Sequence, residues 1–286
     1  MFDFKLNLLY TKSTMINSHT HSKYSSDSTA QLEDICRNAI SKGITAIAIT
    51  DHVALWCHET DFDPTTILAC KKEVFELREK YKDKLNLLFG MELGEHHVNP
   101  TFVKKALDVG DFDVVLCSLH DCVPLSTRPI KRHFITNDFT ALTHDERVEL
   151  LKNYYCILKD NASKYDYDIL THITYPFRYF CIRDKIDIDW RLVENDLVDL
   201  LKIVIKRGKA LELNTANAKD GFFMPNEFLL KKYKELGGEL ITLGSDAHVP
   251  EKVDNGLELG KQLLKKCGFT KYYYYEKRTP KVAEYL

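Results

Sequence analysis

The run Thr45-Ala-Ile-Ala-Ile-Thr50 is apolar on both faces of any strand it forms, and Val114 to Leu119, VVLCSL, repeats the pattern. A strand with one wet face would alternate polar and apolar residues. Continuous apolarity belongs to a parallel sheet covered by helices on both sides. Strand-like runs of this type are read at Met15–Asn17, Ile44–Thr50, Leu85–Glu92, Asp113–Leu119, Tyr167–Thr171, Ala210–Asn214 and Leu240–Gly244. Between and after them come stretches with helical apolar spacing: Ala30–Ser41, Thr65–Lys82, Thr101–Val109, Thr143–Lys164, Trp190–Arg207, Asn226–Leu236 and Lys252–Cys267. Pro64 stands near one helix start, and Gly43, Gly208 and Gly237 stand just past three helix ends. Seven β-α units without a linker or sequence repeat predict an α/β chain folded as a distorted (β/α)7 TIM-like barrel. A doubly wound open sheet would usually place a glycine-rich turn after its first strand, and HTHSKYSSD holds that position here. The expected organisation is one barrel domain over residues 15–286 behind an N-terminal extension, residues 1–14, in which Phe2 to Leu9 is an alternative edge segment.

No stretch reaches the roughly 18 apolar residues of a membrane span, and the opening residues lack a signal peptide's basic start and cleavage site. No membrane partner is expected. The net charge is −2 and Lys and Arg are dispersed, so no basic stripe invites nucleic acid. The run KYYYYEKRTPK reads as a terminal strand followed by a polar turn. Eight cysteines without a CxxC pair, among them Cys36, Cys70, Cys117 and Cys156 in apolar runs, read as free core thiols in a reducing, cytoplasmic setting.

The C-terminal ends of the strand-like runs carry chemically similar residues. His19 and His21 come after the first, Asp51 and His52 after the second, and Glu92 ends the third; His120 and Asp121 come after the fourth, His172 after the fifth, Asn214 ends the sixth, and Asp246 and His248 come after the seventh. In a parallel barrel these ends converge on the mouth that holds barrel chemistry. Six of the 11 histidines fall in this phase, which unrelated loop histidines have no reason to share. Imidazoles with carboxylates suit divalent Zn, Mn or Fe. In His19-Thr20-His21 the strand period turns both imidazoles to one face, and Asp27 reads as a third arm of the same loop, with Ser28 left to cap the next helix. His58, His96, His97, His133 and His144 fall outside the phase and read as surface loop, with lining of the mouth the alternative for His96 and His97, which come close after Glu92. Asp51 and Asp121 would orient neighbouring imidazoles or start turns. Cys57, Cys117 and Cys122 lack a partnered base, and no thiol nucleophile is expected.

NSHTHSKYSSD, AITDH, GMELGE, SLHD, THITYPFRY, LELNT and TLGSDAHVPEKV together resemble the polymerase and histidinol phosphatase (PHP) family, more narrowly its histidinol-phosphate phosphatase branch, from about Met15 to the C-terminus. The resemblance implies a trinuclear metal centre on a distorted (β/α)7 barrel. By motif, His19, His21, Glu92 and Asp246 would hold one ion, Glu92 would bridge to a second held by His120 and His172, and Asp27, His52 and His248 would hold the third. It also implies hydrolysis of L-histidinol phosphate to L-histidinol and phosphate, a step of histidine biosynthesis. Another small phosphomonoester, a nucleotide or a nucleic-acid 3′ end is the alternative substrate within the family, and a non-catalytic scaffold is a third class. Val123–Leu142, with STRPIKRHF, departs from the expected pattern.

For a phosphomonoester, two to three divalent ions would acidify a bridging water and clamp the phosphoryl oxygens. Asp246 or His248 would assist proton transfer to the leaving group. Arginine suits the outer phosphate oxygens; Arg178 in TYPFRY leads, Arg183 is second, and Arg128 and Arg132 read as surface residues. Tyr24, Trp56, Tyr175 and Phe177 could flank an imidazole or pack the barrel.

Overall fold

A computed structural model describes residues 14–54 and 62–286. The extension other than Thr14, with Trp56, Cys57 and His58, lies outside the described residues. The strands are β1 (Met15–Asn17), β2 (Ile44–Ile49), β3 (His52–Val53), β4 (Asn86–Leu93), β5 (Val114–Cys117), β6 (Ile169–Leu170), β7 (Ala210–Asn214), β8 (Ile241–Gly244), β9 (Lys271–Glu276) and β10 (Thr279–Tyr285). The helices are α1 (Leu32–Ser41), α2 (Thr65–Tyr81), α3 (Pro100–Leu107), α4 (His144–Lys164), α5 (Tyr175–Phe177), α6 (Glu194–Lys206), α7 (Glu227–Glu235) and α8 (Leu257–Lys266).

Strands pair in parallel in the order β1-β2-β4-β5-β6-β7-β8, with β3 added beside the end of β4. The ring closes between its ends: Ser18 N–H donates to Leu243 O (2.8 Å), Asp246 N–H to His19 O and His21 N–H to Ala247 O (both 2.9 Å), and Thr20 bridges Ala247 in parallel. Asn17 adds its side chain to this seam, donating to Ser245 Oγ at 2.7 Å and accepting from Ser245 N–H at 3.0 Å. Seven strands therefore form a closed barrel, which accounts for the both-face apolarity of β2 and β5: Ile47, Ile49, Val115 and Leu116 are all buried.

Helix boundaries obey local chemistry. Thr143 and Glu146 form a reciprocal capping box at the start of α4. Asn99 caps α3 with Pro100 in its first turn. Gly43, Gly208 and Gly237 carry the left-handed φ that ends a helix, at 76°, 62° and 89°.

The tyrosine run forms the floor. β9 leaves β8 at a single pairing, Thr242 with Tyr273, and turns back as an antiparallel hairpin with β10. Tyr272, Tyr273 and Tyr275 are buried, and Tyr272 OH donates to Thr14 O at 3.0 Å, beside the start of β1. At the hairpin tip, Lys277 and Arg278 both have left-handed φ, 50° and 58°, as a two-residue type I′ connection requires. Lys277 N–H donates to Asp113 Oδ1 at 3.1 Å, Arg278 N–H to Asp113 O at 2.9 Å, and the Arg278 guanidinium pairs with Asp168. Asp113 and Asp168 precede β5 and β6, so the tip binds under the N-terminal ends of two barrel strands.

Several expectations need correction. β3, β10 and the turn from Tyr175 to Arg183, where a π-helix continues α5, were not foreseen. α8 begins only at Leu257, because Gly256 at its N-cap has φ 68° and breaks the run from Lys252. Cys156 is exposed and Cys181 half-buried, although Cys36, Cys70, Cys117 and Cys122 are buried and all are free thiols. Ser28 does not cap α1: Gln31 holds that position without a side-chain bond, while Ser28 Oγ donates to His248 O at 2.9 Å.

Candidate metal centre

The C-terminal ends of the barrel strands bring the phased residues to one mouth. His19 and His21 leave β1 side by side, both fully buried. His19 Nδ1 meets Glu212 Oε1 at 2.6 Å, and His21 Nδ1 meets Ser25 Oγ at 3.0 Å, which in turn donates to Asp51 Oδ1 at 3.0 Å. Those partners assign the proton of each ring to Nδ1. Each Nε2 therefore points into the mouth, and the two Nε2 atoms lie 3.1 Å apart. A cation bound there would displace any Nε2 proton and be held by both rings and a nearby carboxylate. Asp246 Oδ1 is that carboxylate, 3.2 Å from His21 Nε2 and 3.8 Å from His19 Nε2.

Glu92 sits at the centre. Its Oε1 lies 2.8 Å from His172 Nε2 and 3.3 Å from His120 Nε2; its Oε2 lies 2.8 Å from His52 Nδ1, 3.4 Å from His19 Nε2 and 3.5 Å from His21 Nε2. Oε2 is buried yet makes no hydrogen bond. A carboxylate oxygen among imidazole nitrogens without hydrogen-bond geometry fits cation ligation. On the outer side, Asp27 Oδ2 stands 3.4 Å from His52 Nε2 and 3.2 Å from His248 Nε2. Three groups could each hold an ion: His19, His21 and Asp246; His52, Glu92 and His120; and His21, His52 and His248. The nine residues expected as ligands thus stand together, although His52 reaches both Glu92 and Asp27 where the motif grouping gave it only to the Asp27 set.

The electrostatics reflect that crowding. Burial alone would discharge His19, yet Glu212, Glu92 and Asp246 outweigh it and hold its pKa well above the usual value. Burial likewise opposes charge on His52, but Glu92 and Asp27 push its pKa up to about 10. His21 goes the other way, down to about 3, through burial and the neighbouring His52 and His248. Burial would raise Glu92 and Asp246, but the surrounding imidazoles hold both well below the usual carboxylate range. The site's carboxylates are ionised, and some of its imidazoles carry protons that a metal ion would displace. His172 and Asp246 have left-handed φ values of 25° and 52°, backbone strain of the kind held at functional sites.

Two supports escaped the sequence reading. Glu212 receives His19 through Oε1 and His172 N–H through Oε2 at 2.8 Å; its signal was a carboxylate inside the apolar strand ALELN, which requires a buried partner. Glu95 accepts from His120 N–H at 2.8 Å. Of the orienting candidates, Asp51 accepts from Ser22 N–H and Oγ and from Ser25, and thereby sets His21. Asp121 serves instead His133 Nδ1 at 2.8 Å and Arg132 Nε at 2.5 Å. Asn214 donates to Glu212 Oε2 at 3.3 Å.

A cavity of about 510 Å³ opens over the cluster, lined by Asp27, His52, His120, Asp246 and His248 and by His133, Phe134, Ile135, Tyr175, Arg178 and Tyr179. Arg178 reaches within 3.8 Å of Asp246 Oδ2. Arg183 does not line the cavity. Its guanidinium is spent on Asp184 and on the carbonyls of Ile135 (3.1 Å) and Asn137 (2.5 Å), and stacks on Tyr179. Arg128 grips Glu146 through two bonds. His133, read as surface loop, lines the cavity, and His96 is fully buried. Tyr24 and Phe177 are absent from the lining, and Tyr24 donates to Glu73.

The fold and the cluster define a (β/α)7 barrel whose mouth is shaped for divalent cations. Residues 17–216 match the PHP domain family, and the chain belongs to it. A probable histidinol-phosphatase from Thermotoga maritima is 30% identical, the match covering 89% of this chain and 93% of that protein. The histidinol-phosphatase of Lactococcus lactis is 26% identical over 89% of this chain and 91% of that protein. In structure, the histidinol phosphate phosphatase from Lactococcus lactis complexed with zinc, L-histidinol and phosphate superposes with a TM-score of 0.78 at 24% identity, covering 94% of this chain and 99% of that one.

Proposed function

We propose that the chain is a metal-dependent phosphomonoesterase that hydrolyses L-histidinol phosphate to L-histidinol and phosphate. The observation that carries the metal dependence is the convergence of His19 Nε2 and His21 Nε2, 3.1 Å apart, with Asp246 Oδ1 beside them. The relatives named for histidinol phosphatase activity carry the substrate. His19, His21, Asp246, Glu92, His120, His172, Asp27, His52 and His248 would hold two to three divalent ions of Mn, Fe or Zn. Such ions supply Lewis acidity and a water of lowered pKa.

The protein's own groups do the rest. Arg178 suits the outer phosphate oxygens, since its guanidinium enters the cavity beside Asp246 Oδ2. Asp246 Oδ2, facing Arg178 and Asn214, is the carboxylate oxygen placed to take a proton from water and return it to the leaving alkoxide. His248 is less suited to that role, because Nδ1 lies 3.0 Å from Asp246 O and Nε2 faces Asp27. Tyr175 and Phe134, both buried walls of the cavity, exclude water from the phosphoryl end.

The test is a panel of L-histidinol phosphate, glycerol phosphate and AMP offered to protein reconstituted with Mn. Highest kcat/KM on L-histidinol phosphate is expected; turnover of AMP without L-histidinol phosphate would move the chain to a different phosphoesterase of the same family.

A further inference from the structure

Large apolar side chains exposed one at a time are ordinary on a protein surface. Among the described residues only two of them, Ile135 (68% exposed) and Val249 (39% exposed), line the cavity over the metal cluster. Apolar area left open inside a cavity is area for a ligand to cover.

Both are held by their backbones. Ile135 follows Phe134, whose N–H donates to His120 O at 3.1 Å and whose buried ring packs edge-on against Tyr154 and Tyr175, and the Ile135 carbonyl accepts from Arg183 at 3.1 Å. Val249 stands between His248 and Pro250 with an extended backbone, φ −139° and ψ 144°, the conformation that a following proline favours. Its carbonyl accepts from Lys252 N–H at 3.1 Å. Isoleucine and valine are also stiff at χ1, so little side-chain freedom is lost when a ligand covers them.

Their origins set them on different sides of the mouth. Ile135 is tied through Phe134 and His120 to the end of β5, and Val249 lies past the end of β8. Around the closed ring, β5 and β8 are separated by β6 and β7 one way and by β1, β2 and β4 the other, the widest separation that seven strands allow. With the phosphate drawn to the ligand cluster and Arg178, the rest of the proposed substrate is a short carbon chain ending in an imidazole. That ring carries its nitrogens on the edge and presents two apolar faces.

We propose that Ile135 and Val249 are the jaws of an apolar clasp that closes on the two faces of the substrate's ring, and that they set the preference for a phosphomonoester bearing a flat ring over one without it. This rests on the functional reading above. Neither side chain belongs to the ligand cluster, so the contribution is to binding and alignment and is read mainly in KM.

The test measures kcat and KM for L-histidinol phosphate and for glycerol phosphate in the metal-loaded enzyme and its variants. Ile135→Ala and Val249→Ala are each expected to lower the ratio of kcat/KM for L-histidinol phosphate over that for glycerol phosphate by about fivefold, chiefly through KM, and the double variant by more. Ile135→Leu and Val249→Ile, which keep the apolar area, are expected to hold the ratio near that of the wild-type chain. Because both side chains are exposed, the melting temperature should stay close to that of the wild-type chain in every variant. A double alanine variant that leaves the ratio unchanged, or that lowers both substrates equally as a purely structural role would, overturns the clasp. Wild-type turnover of glycerol phosphate without L-histidinol phosphate overturns the functional reading itself, and this inference with it, before any variant is made.

Discussion

The two ends of the barrel use buried charge in opposite ways. At the floor, Asp113 and Asp168 each find a defined cation: Asp113 Oδ2 accepts from Arg78 at 2.5 Å and from Phe89 N–H at 2.9 Å, and Asp168 pairs with Arg278 while accepting from Val115 N–H at 2.8 Å. Those carboxylates are matched within the protein. At the mouth, Glu92 faces several imidazoles and one of its oxygens makes no hydrogen bond. Satisfied polar groups stabilise a fold; unsatisfied, convergent ones mark where a ligand completes it.

The comparison breaks most visibly under alanine. His19→Ala or Asp246→Ala is expected to lower kcat by about 10³-fold or more while lowering the melting temperature no further than removal of the metal does, whereas Arg278→Ala is expected to leave kcat nearly intact and cost about 2 kcal/mol in urea unfolding. Equal effects on both properties at both ends would dissolve the distinction. Chelation sharpens it: removing metal should abolish turnover and lower the melting temperature, and re-adding Mn should restore both, because binding to the folded state alone adds stability.

A third effect is smaller and concerns packing. A Cβ at Gly244 would collide with Glu212 Oε1 and lie 2.6 Å from His19 Cβ, so Gly244→Ala should displace His19 from its carboxylate and reduce kcat by about tenfold, a change read by steady-state kinetics. The smallest signal is protonic. His19 and His52 are held above their ordinary pKa in the metal-free chain, so at pH 7 both carry protons that metal must displace. Affinity should therefore rise with pH through neutrality and fall as pH drops, with proton release visible as buffer-dependent heat on Mn titration. His21, lowered to about 3, contributes no proton.

Much of the mouth was legible because strand phase is a sequence property. β1 and β7 run over the predicted Met15–Asn17 and Ala210–Asn214, and residues just past such strands must share a rim once the sheet closes. β6 shrank to Ile169–Leu170, although the Asp168 backbone still bonds Val115 O and Ala210 N–H on its two neighbours. What spacing cannot convey is direction within an irregular turn. Arg178 and Arg183 stand in one short stretch, yet the π-turn between them gives the first to the cavity and the second to loop carbonyls. His133 was hidden for a related reason: its place depends on a bridge to Asp121, a pairing without a periodic signature.

The seam beside Asn17 and Ser245 has a consequence for how the molecule comes together. His19 and His21 belong to the first strand end and Asp246 and His248 to the last, with Asp246 standing 225 positions beyond His21 in the chain, so an ion held by both groups would rivet the beginning of the polypeptide to its close. During synthesis the first half of that rivet waits, exposed, until nearly the whole chain has been made. A product terminated before Gly244 would lack both the end of β8 and the Asp246 and His248 side chains.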